Sequence, residues 1–159
     1  MATTLRQWLA QAPFSLAMSS GFFSFYAHTG MLASLTATGF RPRRMAGSSA
    51  GALVGGLWAA GIEAEALANV LLTLKRDDFW DPGAGVGLLT GKKFDAVLRR
   101  ILPVADMQAA RVPMAISAFD ILKRQTVVLR TGDIALAVRA SCAVPAMFQP
   151  VWIDKRAYW

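Results

Sequence analysis

Between a short apolar run and a helix of small residues lies Gly47-Ser48-Ser49-Ala50-Gly51, a G-x-S-x-G pattern that restricts the backbone more than any other segment. Glycines on either side of Ser49 permit a sharp strand-to-helix turn that a Cβ would block. Such a turn pushes the serine hydroxyl out over the end of a sheet. The helix that follows aims its first N–H groups, and the positive end of its dipole, at whatever bonds to that oxygen. The expected unit is therefore strand, elbow, helix, and the chemistry it favours is acyl transfer.

The rest of the chain alternates in the same way. Phe14 to Met18 is an apolar run suited to a buried strand, and Ser19 to Tyr26 a Ser/Gly/aromatic loop. Ala27 to Thr38 reads as a helix stopped by Gly39, and Arg44 to Ala46 as the strand feeding the elbow. Helices are expected over Ala50 to Ala60, Ile62 to Leu74 and the amphipathic Lys92 to Leu102. Val112 to Ile121 and Thr126 to Leu129 are β-rich, Asp133 caps a helix to about Ala143, and Val151 to Trp159 reads as a hairpin. A short amphipathic helix over 4–10 precedes a core that starts near residue 14. The pattern predicts one α/β domain over 1–159, with a mostly parallel central sheet and helices on both faces, a three-layer sandwich.

Composition narrows the function. Hydrophobic residues make up 55% of the 159 and charged residues 17%, too apolar for disorder. Seventeen basic against ten acidic residues give a formal net charge of +7, which favours anionic partners. The basic residues fall in scattered pairs such as Lys92/Lys93 and Arg99/Arg100, without an aromatic-interleaved stripe, so nucleic acid is not expected. An anionic membrane surface is the candidate peripheral contact. No signal peptide is evident, because Gln7, Gln11 and Pro13 interrupt the first apolar stretch. The single cysteine, Cys142, allows no internal disulfide, and a cytoplasmic or peripherally membrane-associated location is expected.

Ser49 is the candidate nucleophile. One βα unit upstream, Ser19-Ser20-Gly21-Phe22 forms a second loop able to offer N–H groups to an oxyanion at Ser49. The only histidine, His28, precedes the serine, whereas in α/β-hydrolases it comes last; it is read as structural, which leaves a carboxylate as base. Gly83, Gly85, Gly87 and Gly91-Lys92 fit neither phosphate-loop pattern, and 77–91 is read as a loop or lid near the site. One His and one Cys supply no metal cluster, so no metal or other cofactor is expected.

Three blocks, in order, carry a family resemblance. They are Leu16-Ala-Met-Ser-Ser-Gly21 through Ala27-His-Thr-Gly-Met-Leu32, then Ala46-Gly-Ser-Ser-Ala-Gly-Ala-Leu53, then Arg139-Ala-Ser-Cys-Ala-Val-Pro-Ala-Met-Phe-Gln-Pro-Val151. Together they resemble the patatin-like phospholipase family. The resemblance implies a lipid acyl hydrolase with a Ser-Asp dyad on a three-layer α/β fold, acting on lipid or phospholipid. It makes Ser49 the nucleophile, Gly47 and Gly51 the elbow glycines, and Ser20, Gly21, Phe22 and Ala50 the oxyanion-hole residues.

Two departures from the family pattern stand out. Ser20, Phe22, Ser24 and Phe25 replace the glycines and the basic residue usual in the oxyanion loop. The family's Asp-Gly-Gly/Ala motif is expected just past Tyr158-Trp159, so the chain is read as a C-terminally incomplete fragment, inactive alone. Asp120 and Asp154 are the nearest carboxylates, read respectively as a strand end and a hairpin turn. Two rivals differ in kind. One is a non-catalytic patatin-like lipid-binding protein. The other is a small membrane-spanning protein, since Met45 to Ile62 is free of charge and contains Gly47, Gly51 and Gly55 at helix-packing spacing.

Overall fold

The computed structural model describes residues 3–159. Strands β1 (Ser15–Met18), β2 (Arg44–Ser48) and β3 (Met114–Asp120) run parallel, with Leu16, Met45 and Met114 side by side in register. Helices α2 (Ser24–Ala37), α3 (Ala50–Ala60), α4 (Ala64–Thr73) and α5 (Lys92–Ile101) occupy the crossovers, as parallel pairing demands. β4 (Gln125–Leu129) follows β3 after a tight turn and must return antiparallel. The same holds for β5 (Val151–Ile153) and β6 (Arg156–Tyr158), joined by Asp154-Lys155 with φ of 48° and 64°. That double left-handed turn matches the twist of a two-residue hairpin. The six-stranded sheet is α/β as expected, yet mixed, because short connections dictate the direction of two strands, β4 and β6.

β3 has two different neighbours along one edge. Its Pro113 carbonyl accepts the Met45 N–H of β2, while Phe119 exchanges hydrogen bonds of 2.7 and 2.9 Å with Trp159 at the end of β6. Residues 113 and 119 share parity and so face the same edge. β2 leaves that edge at the elbow, and β6 takes it over beyond.

The core lies on one face of this sheet. Met18, Met45, Met114 and Ile116 point toward α3 and α6 (Ile134–Cys142), where Val54, Leu57, Ile134 and Val138 are fully buried. Ten of the eleven residues of α3 are buried, which its small side chains make possible. Helix α2 packs on α3 and α4. The opposite face carries Ala17, Ala115, Phe119, Val128 and Trp152; Phe119, Val128 and Trp152 are 41, 51 and 63% exposed. Among the described residues, α3 and α6 make the main helix contacts with the sheet.

Local expectations hold closely. α1 (Leu5–Leu9) starts with a reciprocal Thr4–Gln7 capping box, and Asp133 Oδ1 accepts the Leu136 N–H at 2.8 Å to cap α6. α2 begins three residues earlier than read, since the Gly21 carbonyl accepts the Ser24 N–H and leads straight into the helix. The charge-free stretch 45–62 divides between β2 and α3, and no helix among the described residues is long and apolar enough to cross a membrane. The membrane-spanning reading fails on that division.

Candidate active site

Ser49 sits between the last residue of β2 and the first of α3, with φ 50° and ψ −115°. A non-glycine residue held there stores about 1–3 kcal/mol of strain. The turn is also crowded. A Cβ on Gly47 would overlap the carbonyl of Gly51, and a Cβ on Gly51 would overlap the carbonyl of Met18. Both glycines are therefore obligatory for the close passage of α3 over the strand ends. The Ser49 carbonyl accepts the Leu53 N–H at 2.9 Å, so Ser49 is the N-cap of α3, yet its hydroxyl makes no capping bond. An N-cap serine ordinarily contributes about 1 kcal/mol through that bond. Here the side chain forgoes it.

The last turn of α6 grips the same residue from a distance of over ninety positions. The Ser49 N–H donates to Ser141 Oγ at 2.7 Å, and Cys142 Sγ donates to the Ser49 carbonyl at 3.3 Å. Burial pushes the Cys142 thiol up to about 12, so it stays a neutral donor. The sequence reading took Cys142 as a lone cysteine with no disulfide partner and gave Ser141 no role.

Gly21 and Phe22 approach from the loop before α2, and they line a cavity of about 520 Å³ together with Ser49 and Ala50. Ser20, expected beside them, is exposed and lies outside that wall. The N-terminal ends of α2 and α3 thus open on one space, each contributing positive dipole and unpaired N–H groups. His28, in the second turn of α2, sits with Nε2 2.8 Å from the Ser19 carbonyl. A carbonyl only accepts, so Nε2 carries the proton and ties the loop to the helix. The structural reading of His28 gains a definite task.

The remaining wall is apolar, with Phe25, Leu53, Leu71, Phe94, Val97 and Phe148 among its side chains. Phe79, Trp80, Leu88 and Leu89 of the 77–91 segment belong to it too. That segment is stapled down: Leu88 and Leu89 N–H groups donate to Ala146 and Met147, and Gln149 donates back to Leu89. Asp81 accepts from Thr90 Oγ1, Gly91 N–H and Lys93 N–H at 2.6–3.2 Å. The expected lid is a bonded wall. Arg76 lies 4.2 Å over the Trp80 ring at its edge.

Neither in-chain carboxylate singled out from sequence reaches the cavity wall. Asp120 is fully buried at the end of β3, accepts the Lys123 N–H at 2.9 Å and faces Arg156 at 3.9 Å; Asp154 is in the hairpin turn. Asp78 does line the cavity, though its carboxylate accepts the Lys75 N–H. The described residues contain no cluster of His, Cys, Asp or Glu able to hold a metal. An uncapped hydroxyl, two helix N-termini and an apolar cavity suit attack on a carbonyl attached to a hydrocarbon chain.

Comparison with known proteins identifies the family. A family model described as patatin-like phospholipase matches residues 16–159. Uncharacterized NTE family proteins of Mycobacterium bovis and Mycobacterium tuberculosis are 34% identical over 147 residues, covering 89% of this chain and 40% of theirs. The chain thus spans about two fifths of the length of these relatives. Among solved structures, VipD from Legionella pneumophila superposes with a TM-score of 0.69 at 14% identity, over 92% of this chain and 45% of its own. The type III effector protein ExoU gives 0.55 at 15% identity, over 86% and 39%. Both likenesses concern the fold.

Proposed function

The chain belongs to the patatin-like phospholipase family, and on that premise we propose that it is the nucleophile-bearing part of a lipid acyl hydrolase. The observation that carries the reading is Ser49, strained and uncapped at the mouth of an apolar cavity. Ser49 Oγ gives its proton to a carboxylate base and attacks a fatty-acyl ester carbonyl; the tetrahedral adduct then collapses, the C–O bond to the alcohol breaks, and the alcohol leaves with that proton. The N–H groups of Gly21, Phe22 and Ala50 hold the resulting oxyanion, each donor contributing about 3–4 kcal/mol to the transition state. Water then releases the acid from the acyl-enzyme, with the same base assisting.

That base is an aspartate reached beyond Trp159. Tyr158 pairs with Asp120 and Trp159 lies opposite Phe119, so the register continues toward Ala118 and Ser117. Ser117 is the register partner of Ser48. A chain running on in this direction arrives at the elbow, within reach of Ser49. The substrate is a lipid or phospholipid met at an anionic membrane surface. Exposed Phe22, Phe23, Tyr26, Leu88, Val144 and Met147 gather round the cavity mouth, and apolar patches at such places mark interfaces.

The test is hydrolysis of short-chain p-nitrophenyl esters by the protein continued past Trp159. Ser49→Ala is expected to lower kcat/KM by at least about a thousandfold. Residues 1–159 alone, lacking the base, are expected to show little turnover. Unchanged hydrolysis in the Ser49 variant would refute the assignment. Lipid binding without turnover in the continued protein would favour the rival, a non-catalytic lipid-binding relative.

A further inference from the structure

We propose that Ser141 is a positioning residue for Ser49, holding the elbow in the one conformation that presents the hydroxyl to the cavity. The proposal rests on the hydrolase reading above and extends it to a residue on a different helix. At Ser49 the β2 ladder has ended and the α3 ladder has not begun, so its N–H has no partner within either element. Left unpaired in this half-buried turn, such a group would give up its bond to water with nothing in return. Ser141 Oγ accepts it at 2.7 Å, and the next residue, Cys142, donates to the carbonyl of the same serine at 3.3 Å. Both backbone polar groups of Ser49 are thereby fixed by one turn of α6.

The alternative open to Ser49 makes the need plain. With an ordinary extended φ, the serine would become a routine N-cap, its Oγ accepting an N–H two or three residues on. That state relieves the strain and turns the hydroxyl inward. The hydrogen bond to Ser141 opposes this relaxation, because rotating φ away from 50° swings the N–H off the Ser141 oxygen. It also commits the Ser49 N–H, leaving oxyanion contacts to Gly21, Phe22 and Ala50. α6 is itself braced: Arg139, two residues earlier in the helix, pairs with Asp95 of α5 at 2.9 Å, with its side chain only 15% exposed.

Two measurements on the protein continued past Trp159 test this. First, Ser141→Ala should lower kcat on a p-nitrophenyl ester by about 10- to 100-fold with KM within about twofold, the usual consequence of a nucleophile displaced by an ångström or less. Ser141→Thr, which keeps the acceptor, should recover to within about threefold of the parent. Wild-type kcat in Ser141→Ala, or a loss confined to KM, overturns the proposal. If Ser141→Ala fails to fold, Ser141→Cys keeps the volume with a poor acceptor and should show the same fall in kcat; full activity there overturns it equally. Second, amide hydrogen exchange at Ser49, read by NMR, needs no turnover. Ser141→Ala should weaken its protection by about 10-fold or more, and unchanged protection overturns the proposal. Protection lost as expected in a protein with no esterase activity would instead sink the hydrolase reading and leave the hydrogen bond established.

Discussion

Cys142 illustrates how far a single residue can be taken from its surroundings. Its thiol is raised from an ordinary 9.0 to about 12 by burial, with the hydrogen bond to the Ser49 carbonyl pulling weakly the other way. The folded protein therefore prefers the protonated thiol. The associated stability is fully present below pH 9 and is lost as pH climbs from 9 toward 12. Near pH 8, iodoacetamide should leave Cys142 largely unmodified in the native protein while alkylating it readily in urea; intact-mass measurement of both reads the result. Fast native alkylation would show that the thiol does not sit against the elbow. Gly47, Ser49 and Gly51 were legible in the sequence because the requirement they meet is local, a turn within five residues. Ser141 and Cys142 lie more than ninety positions away, and nothing in their own neighbours signals contact with Ser49.

Among the elements, α3 was read to the residue, since Ser49 and Gly61 bound it chemically at both ends. The 77–91 segment was not. Its glycines and proline announce a loop, but its partners at 144–149 are some sixty positions on, so its attachment is a tertiary fact. Asp81 ties the same segment to the start of α5. Burial raises its carboxyl, and the hydrogen bonds from Thr90, Lys93 and Gly91 more than offset this, leaving it below the ordinary range. It caps α5, whose own N-cap is Gly91 and has no side chain to do so. Asp81→Ala should cost about 2 kcal/mol in urea unfolding and expose the 82–90 segment to limited proteolysis. A cost near zero with unchanged cleavage would mean that the wall holds without it. The carboxylate's contribution is present above its unfolded pKa near 3.8 and fades as pH falls below that.

The whole molecule is lopsided in chemistry. Its excess of basic residues and its ring of exposed apolar side chains at the cavity mouth together suit an anionic bilayer. Leu72 follows the wall residue Leu71 and Val86 comes two positions before Leu88; they are 69 and 67% exposed and lie outside the wall. Leu72→Asp with Val86→Asp should reduce co-sedimentation with phosphatidylglycerol vesicles by about 10-fold, while hydrolysis of a soluble short ester by the continued protein stays at the parental rate. Parental vesicle binding would place the lipid-facing surface elsewhere. Fold class was legible at this scale because strands and helices alternate along the chain. The bend at Ser49 has a last consequence. A glycine would sit in that dihedral well at ease, so any laboratory evolution that rewards heat tolerance alone would drift toward replacing the very side chain proposed above as the nucleophile. Selection must reward both traits together, or the sturdier descendants will be inert.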